Sequence, residues 1–465
     1  MKIHFFTLGC KTNQYETNAM EQNFIKNGYN TTDEIADIYV VNTCSVTNIA
    51  ERKSRQMLRR AKELNPKAVV VACGCYAQVA KKEIEKIPEI DLILGINEKN
   101  NIVEIVEEYL KEKNKLAEVS DVMHQKDYQD FGTTTYTELN RAVIKIQDGC
   151  DRFCSYCIIP YARGMVRSRK PENIIKEIEE ISKEGIKEVV LTGIHIASYG
   201  KDFSDQEVSE YRKEYGYKNE YVKFNPKDDL ATGGFRVIEL LEQINKISTI
   251  QRIRIGSIEP KLITKEFVER LSKLEKICHH FHLSLQSGND ETLKRMNRRY
   301  TIDEFTNSVQ LLRNTYNDVA LTTDIIVGFP GETTEEFEKT YEFLKFIKFY
   351  KMHIFKYSPK KGTVAEKMPE QIDGKVKEER SQRLINLSDK NEKEHNEKYM
   401  NKIVDVLIEE SDGKYLKGHT GNYLLVKIPD TFESEQKEKI INEMVKVKIE
   451  KLEDIELIGT LVDKK

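Results

Sequence analysis

The chain has 465 residues and nearly balanced charge, with 74 Lys and Arg against 77 Asp and Glu and a net charge of −3. This length predicts about three domains, and the charge excludes a uniformly basic nucleic-acid binder, so any RNA-binding surface must come from local patches. The amino terminus lacks the apolar stretch of a signal peptide, and no segment approaches the roughly 18 apolar residues of a membrane span. We therefore expect a cytoplasmic protein without membrane partners, whose eight cysteines serve metal or redox chemistry rather than disulfides.

Residues 1 to about 112 alternate short apolar strands with helical stretches, which predicts a doubly wound parallel sheet. A cysteine follows each of the first three predicted strands: Cys10, Cys44 and Cys75. Open α/β sheets collect ligands beyond the carboxyl ends of their strands, so three thiolates could hold a metal cluster there. Buried cysteines in small-residue turns fit the spacing equally well. Cys73 ends an apolar strand and is predicted to be a core residue.

The helix predicted from about residue 48 to residue 64 is strongly basic. Arg52, Lys53 and Arg55 are its candidates for contacts with RNA phosphates. A solvated helical face is the alternative. A polar stretch, residues 126–138, is predicted to link this first domain, residues 1–125, to the next.

Residues 148–161 contain Cys150, Cys154 and Cys157 in a Cys-x3-Cys-x2-Cys loop after an apolar run that resembles a strand. Three thiolates can hold an iron-sulfur cubane and leave one iron open to an outside ligand, such as the amine and carboxylate of an amino acid. A zinc site wants a fourth ligand at short spacing, and no cysteine or histidine follows before His195. The loop therefore favours a cluster, and Tyr156 could lay its ring against a flat purine.

From residue 139 to about residue 369, roughly six strand-helix units predict a partial parallel barrel with its functional groups at the carboxyl ends of the strands. The stretch 201–234 is longer than such a connection needs, and loops of this length are usually functional or disordered. For His279, His280 and His282 beside Cys278, a structural or substrate-facing role is predicted rather than metal binding.

After a charged helix at about residues 375–398, five short strands predict a small antiparallel β-barrel of the oligonucleotide-binding type. Tyr415 and Tyr423, with nearby lysines, could supply stacking and charge for RNA. A barrel that only stabilises the enzyme is the alternative.

Several of these segments resemble known motifs. The loop at Cys150 resembles the signature of radical S-adenosylmethionine (SAM) enzymes. The segments 8–14, 42–47 and 74–78 resemble the three motifs of the methylthiotransferase amino-terminal domain, and residues 418–424 resemble a loop of the RNA-binding TRAM domain. The chain is thus identified as a member of the radical SAM methylthiotransferases, with an amino-terminal domain at 1–125, a radical SAM barrel at 139–385 and a TRAM domain at 395–465.

The resemblance implies two [4Fe-4S] clusters and SAM as cofactors. It assigns an auxiliary, sulfur-supplying cluster to Cys10, Cys44 and Cys75, and the cluster that cleaves SAM to Cys150, Cys154 and Cys157. Arg298 is a candidate partner of the SAM carboxylate, since a guanidinium pairs it bidentately. The candidate SAM contacts are Tyr156, Thr192, Gly193, Ser257, Glu259, Gln286, Arg298 and Val327.

Segments 10–14 and 44–56 look most like the branch that acts on N6-threonylcarbamoyladenosine beside the tRNA anticodon. This branch implies conversion to the 2-methylthio nucleoside, with a tRNA anticodon stem-loop, an electron donor of the flavodoxin or ferredoxin type and a sulfur source as partners. The same chemistry on N6-isopentenyladenosine, or on an aspartate of a ribosomal protein, is the nearest alternative. An iron-sulfur RNA-binding protein without turnover is an alternative of another class.

Overall fold

Three folding units follow one another along the chain in the computed structural model, which describes residues 1–132, 141–217 and 235–462. Within these ranges, no helix combines the length and the apolar character that crossing a membrane requires. Part of the predicted linker, 133–138, and part of the predicted insertion, 218–234, lie outside the described residues.

The first unit is a sheet of six parallel strands in the order β2-β1-β3-β4-β5-β6. Apolar clusters cover both of its faces, which confirms the predicted doubly wound sheet. Its strands are β1 (Lys2–Thr7), β2 (Asn30–Thr31), β3 (Ile38–Thr43), β4 (Val69–Gly74), β5 (Leu92–Leu94) and β6 (Leu116–Glu118). Its helices are α1 (Lys11–Lys26), α2 (Asn48–Leu64), α3 (Cys75–Val79), α4 (Lys81–Ile84) and α5 (Ile102–Glu112).

Helix starts in this unit lie close to the cysteines. Helix α1 begins directly after Cys10, earlier than the sequence pattern predicts. Helix α2 has the predicted bounds, and the Thr47 side chain caps it by accepting a hydrogen bond from the backbone N–H of Ala50. The single helix predicted after Cys75 is instead interrupted at Ala80, between α3 and α4.

The second unit is the predicted open barrel. Six parallel strands follow the order β7-β9-β10-β11-β12-β13, and parallel bridges at Ile253 and Ile258 join its two sheets. Its strands are β7 (Arg141–Asp148), β8 (Arg167–Ser168), β9 (Glu188–Gly193), β10 (Arg252–Ile255), β11 (His280–His282), β12 (Ala320–Val327) and β13 (Lys351–Lys356). Its helices are α6 (Ile159–Arg163), α7 (Pro171–Lys183), α8 (Asp205–Glu214), α9 (Val237–Asn245), α10 (Lys265–Leu271), α11 (Asp290–Arg295), α12 (Ile302–Thr315), α13 (Thr334–Ile347) and α14 (Gly374–Glu397).

Side chains alternate across the wall of this barrel, as they do along any strand. Residues such as Ile144, Val189 and Ile253 join the large apolar core against the helices. Their neighbours in sequence face the lumen and are largely polar. The barrel interior is therefore lined largely by charged and polar side chains rather than by a second apolar core.

The third unit is a closed barrel in the order β14-β15-β16-β18-β17. Four of its five strand pairs are antiparallel, as predicted, and β16 pairs with β18 in parallel. Its elements are β14 (Ile403–Ser411), β15 (Tyr415–Thr420), β16 (Leu425–Pro429), α15 (Ser434–Ile440), β17 (Met444–Glu453) and β18 (Glu456–Leu461).

The loop between β15 and β16 plugs the amino end of the central barrel. The guanidinium carbon of Arg254 lies 4.5 Å from the centre of the Tyr423 ring, which also packs on the rings of His280 and His419 at 4.9 and 4.6 Å. Arg252 donates hydrogen bonds to the backbone carbonyls of His419 (2.8 Å) and Asp405 (2.9 Å). Tyr423 therefore closes a domain interface instead of offering an open face to RNA.

Candidate active site

The three cysteines of the first unit converge although more than thirty residues separate each from the next. The parallel register aligns Thr7 with Asn42 and Thr43 with Gly74, so the loops that follow β1, β3 and β4 leave the same edge of the sheet. A Cβ atom on Gly9 would lie 2.8 Å from the Cys44 sulfur, which shows how closely the first two loops approach.

Their electrostatic environment suits a metal cluster. Burial, together with the neighbouring Cys75 and Cys10, raises the pKa of the Cys44 thiol to about 11. The pKa of Cys75 is raised by burial and by Cys10 in the same way. Thiolates gathered here need a cationic partner, and iron supplies one. Cys73, in contrast, is fully buried in an apolar cluster.

The other three cysteines lie in one loop after β7. Backbone hydrogen bonds fix the loop, from Cys150 N–H to the Gly164 carbonyl (2.9 Å) and from Ser155 N–H to the Met296 carbonyl (3.0 Å). Burial raises the pKa of the Cys150 and Cys157 thiols to about 12, with Cys154 adding to both. Their donor chemistry therefore fits a second cluster at the carboxyl end of the central barrel.

Glu259 lies at the centre of the predicted SAM contacts. His195 Nε2 and Arg152 Nη2 lie 2.9 and 3.1 Å from its Oε2, and Arg298 Nη2 lies 3.5 Å from its Oε1. Burial opposes ionisation, yet the hydrogen bond from His195 and the surrounding positive charges hold the pKa of Glu259 well below its usual range. Arg298 Nη1 also lies 3.3 Å from the Cys154 sulfur, which ties this group to the cluster loop.

The remaining predicted SAM residues occupy neighbouring strand ends. Thr192 and Gly193 end β9, where a Cβ on Gly193 would meet Gln147 Oε1 at 3.0 Å. Ser257 is exposed after β10, and Gln286 has a left-handed backbone with φ of 73° after β11. The Tyr156 ring packs edge-on against Phe329, 6.4 Å away. These are the carboxyl ends of the barrel strands, where the sequence places a ligand.

One predicted contact is directed away from this region. The Val327 side chain is 1% exposed and belongs to the apolar core between strands and helices. Its neighbour Ile326 packs instead against the small apolar cluster that contains Phe329, as Tyr156 also does. The alternation along β12 therefore makes Ile326, rather than Val327, the side chain that could contact an adenine.

A buried ion network, absent from the sequence predictions, joins the two cysteine sets. The Glu16 carboxylate on α1 lies 2.5 Å from Lys99 Nζ, 2.6 Å from Lys145 Nζ and 2.6 Å from Arg163 Nη1. Lys145 Nζ also lies 2.6 Å from Asp148 Oδ2. Arg163 and Lys145 hold the pKa values of Glu16 and Asp148 well below their usual range despite burial.

Arg163 connects this network to both loops. Its Nη2 donates a 2.7 Å hydrogen bond to Asn13 Oδ1, and Asn13 in turn donates to the backbone carbonyls of Leu8 and Thr43. Arg163 lies on α6, directly after the Cys150 loop, and its charge acts on Cys75. These contacts fix the two cysteine sets relative to each other. No local spacing in the sequence could have revealed them.

The histidines beside Cys278 form hydrogen bonds along the lumen wall. Nε2 of His280 and Nδ1 of His282 lie 3.1 and 3.0 Å from Thr322 Oγ1. Among the described residues, His282, Asp324 and His353 bring one ligand-type atom each within 4.8 Å of one another. Of these three, the sequence predictions include only His282.

The predicted RNA contacts have three different settings. Arg52 and Lys53 are exposed on α2, whereas Arg55 is half-buried and donates a 2.8 Å hydrogen bond to the Tyr76 hydroxyl. Tyr415 is half-buried on the third unit, with Lys427 and Lys414 over its ring. Arg52, Lys53 and Tyr415 thus remain accessible candidates, while Arg55 and Tyr423 make internal contacts.

An open parallel barrel with a three-cysteine loop at its carboxyl end, facing a second cysteine triad, defines a radical SAM enzyme with an auxiliary cluster domain. Two family models match the chain: the Radical SAM superfamily over residues 144–344 and the Uncharacterized protein family UPF0004 over residues 2–95.

Curated relatives refine this class. The chain is 40% identical to Threonylcarbamoyladenosine tRNA methylthiotransferase MtaB of Bacillus subtilis, over 91% of this chain and 89% of that protein. A protein of the same name from Aquifex aeolicus is 38% identical, over 92% and 96%. The tRNA-2-methylthio-N(6)-dimethylallyladenosine synthase of Caldicellulosiruptor saccharolyticus is 35% identical, over 87% and 82%. The chain belongs to the radical SAM tRNA methylthiotransferase family, and its cofactors are SAM and two [4Fe-4S] clusters.

Proposed function

We propose that the protein methylthiolates C2 of N6-threonylcarbamoyladenosine next to the anticodon of tRNA, giving 2-methylthio-N6-threonylcarbamoyladenosine. The observation that carries the proposal is that buried contacts of Arg163 with Asn13 and Glu16 join the loop of Cys150 to the loops of the other cysteine triad. The two relatives with the highest identity described above are named for this nucleoside, and the third is named for a dimethylallyl nucleoside.

The six cysteines would divide between the two clusters. Cys10, Cys44 and Cys75 would hold the auxiliary cluster, and Cys150, Cys154 and Cys157 would hold the other. When bound, the clusters and SAM supply hydrogen abstraction from C2, the sulfur atom and the methyl group. The protein's own groups bind and orient: Arg163 and Glu16 hold the two cysteine loops in a fixed relation.

SAM would lie across the strand ends beside Cys154. Gly193 would let the backbone approach the ligand closely. Glu259 stays ionised in its cationic surroundings and would accept hydrogen bonds from the ribose or the amine. Arg298 would reach the carboxylate while it contacts Glu259 and Cys154. Tyr156 and Ile326 would form an apolar seat for adenine, and Thr192, Ser257 and Gln286 would supply polar contacts.

The partners proposed for this reaction are a tRNA anticodon stem-loop, an electron donor of the flavodoxin or ferredoxin type and a sulfur source, in the cytoplasm. Arg52 and Lys53 lie on the helix that follows Cys44, so a bound RNA strand would pass beside the auxiliary site. Tyr415 would add a stacking surface on the TRAM unit. We propose the same domain limits as the sequence predicts, namely residues 1–125, 139–385 and 395–465.

The test uses the full chain, reconstituted anaerobically with iron and sulfide. Reduced enzyme and SAM are incubated with stem-loops that carry threonylcarbamoyladenosine, dimethylallyladenosine or unmodified adenosine, and the digested nucleosides are identified by mass spectrometry. Methylthiolation of the first substrate well above the other two is expected. Preferred turnover of the dimethylallyl substrate, or SAM cleavage with none of the three methylthiolated, would contradict the assignment.

A further inference from the structure

Lys11 is the residue directly after Cys10 and the first residue of helix α1. Residues four apart lie on the same face of a helix, so Lys11 shares a face with Tyr15. Tyr15 packs on Val143 and Val190, which project from β7 and β9 into the barrel lumen. Helix α1 thus extends along the lumen wall, with Lys11 on the inward face.

The electrostatic surroundings of Lys11 agree with this position. Burial and the charges of Arg141 and Arg254 lower the pKa of Lys11 to about 8, Glu188 acts in the opposite direction, and Lys11 in turn lowers the pKa of His280 on β11. All four residues face the lumen. Lys11 is therefore directed into the barrel, beside a ligand of the auxiliary cluster.

Arginines already pair with Glu188, the one carboxylate in this set. Glu188 Oε1 lies 2.9 Å from Arg141 Nε and 2.8 Å from Arg254 Nε, and Arg252 lies 3.8 Å from Oε2. Within the described parts of the chain, the Lys11 ammonium has neither an ion pair nor a side-chain hydrogen bond, and its side chain remains exposed to the lumen. The lumen therefore offers an uncompensated cation to a ligand.

We propose that Lys11 is a specificity-determining residue that binds the carboxylate of the threonylcarbamoyl group. The proposal rests on the function proposed above. In adenine only N1 separates C2 from C6, so a substituent on N6 lies beside the carbon that receives sulfur. Cys10, which would hold part of the sulfur-supplying cluster, is the neighbour of Lys11, so a substituent that extends from N6 into the lumen would come within reach of the Lys11 side chain. A threonylcarbamoyl group ends in a carboxylate, whereas a dimethylallyl group has no charge for Lys11 to pair.

The first experiment compares two stem-loops with the wild-type enzyme. One carries threonylcarbamoyladenosine, and the other carries the same nucleoside with its threonine carboxylate converted to a carboxamide. Binding is measured by fluorescence anisotropy without reductant, and methylthiolation is measured as kcat/KM. A charge-assisted hydrogen bond predicts that the acid is preferred by about 10- to 100-fold in both readouts.

Variants then assign the preference to Lys11. Lys11→Met should bind and convert acid and amide equally, while Lys11→Arg should keep a preference for the acid. Lys26→Met, at the far end of the same helix, is the matched control and should behave as wild type. Iron content and the electron paramagnetic resonance signals of both clusters establish that each variant is loaded.

The outcomes separate the two proposals. If wild-type enzyme methylthiolates neither stem-loop, the proposed function fails. If it converts the acid but accepts the amide equally well, or if loaded Lys11→Met keeps the preference, only the role of Lys11 is overturned. Equal weakening of both stem-loops in Lys11→Met would mean that Lys11 binds an RNA phosphate, which also overturns the proposal. If Lys11→Met does not assemble both clusters, Lys11→Arg decides the question. Loss of the preference for the acid in cluster-loaded Lys11→Arg would then contradict the role of Lys11.

Discussion

The two ends of the central barrel bind their neighbouring domains in different ways. At the carboxyl end, Glu16, Lys99, Lys145, Arg163 and Asp148 form a fully buried ion network between the two cysteine sets. At the amino end, the half-buried ring of Tyr423 stacks on Arg254 and His419. Arg252 there donates a hydrogen bond to the backbone carbonyl of His419.

The difference suggests that contacts at the carboxyl end serve catalysis, whereas contacts at the amino end mainly stabilise the fold. A buried ion depends on each partner, because removal of one leaves an uncompensated charge in a low-dielectric interior. A stacked ring and its backbone hydrogen bonds can loosen without leaving a bare charge near the clusters. Changes at the carboxyl end should therefore disturb cluster geometry and activity together, whereas changes at the amino end should lower stability first.

The largest effect is expected within the auxiliary triad. Cys75→Ala should remove about half of the iron per chain and abolish methylthiolation, because a cluster with two thiolates is poorly held. Cys73→Ala, two residues away, should keep full iron and activity and cost roughly 1 kcal/mol of stability. Iron analysis and Mössbauer spectra of both variants check this. Loss of iron in Cys73→Ala and not in Cys75→Ala would reverse the assignment.

Glu16→Ala tests the ion network itself. It leaves Lys99, Lys145 and Arg163 without their shared carboxylate, so the free energy of unfolding should fall by about 3–5 kcal/mol. Anaerobic denaturant titration measures this change, and Glu104→Gln, at an exposed position of α5, serves as the control. A loss below about 1 kcal/mol, with unchanged activity, would show that the network does not hold the two loops.

Tyr423→Ala should act at the opposite end and more mildly. Loss of the ring contacts with Arg254, His280 and His419 should cost about 1–3 kcal/mol. Methylthiolation below the unfolding temperature should be retained, because the contacts of the Tyr423 ring include neither the cysteine loops nor the predicted SAM contacts. Thermal unfolding and kcat/KM are measured on the same sample. Loss of activity with unchanged stability would contradict a purely supporting role.

The smallest effect is expected on RNA affinity. Replacing exposed Arg52 and Lys53 with Ala should weaken stem-loop binding at low salt and lower the salt-dependence slope by about one per lost phosphate contact. Arg55→Ala is the internal comparison, since Arg55 contacts Tyr76, and it should change stability more than the slope. Unchanged slopes in the double variant would place the RNA elsewhere.

The sequence was most informative where ligands lie close together in the chain. Cys150, Cys154 and Cys157 lie in one short loop. Alternating strand and helix patterns predicted the first two folding units, and a run of short strands predicted the third. For Cys10, Cys44 and Cys75 the spacing left two interpretations open, and only the parallel register showed that these loops meet.

Other features depended on contacts that no local pattern encodes. Glu16, Lys99 and Arg163 come from three distant segments and meet only after the first unit docks on the barrel. Tyr423 is an aromatic residue of the kind that stacks on RNA bases, yet its loop packs against the amino end of the central barrel. The choice between Ile326 and Val327 depended on which of these two adjacent side chains points into the barrel. The sequence alone does not show which face of β12 is the inner one.

The most direct test of the account is mass spectrometry of tRNA nucleosides from cells that lack their endogenous enzyme and express this chain. We expect that 2-methylthio-N6-threonylcarbamoyladenosine appears with wild-type protein and disappears with Cys75→Ala and with Cys154→Ala, while its unmethylthiolated precursor accumulates. The presence of the product in either cysteine variant, or an unchanged nucleoside profile with cluster-loaded wild-type protein, would contradict it.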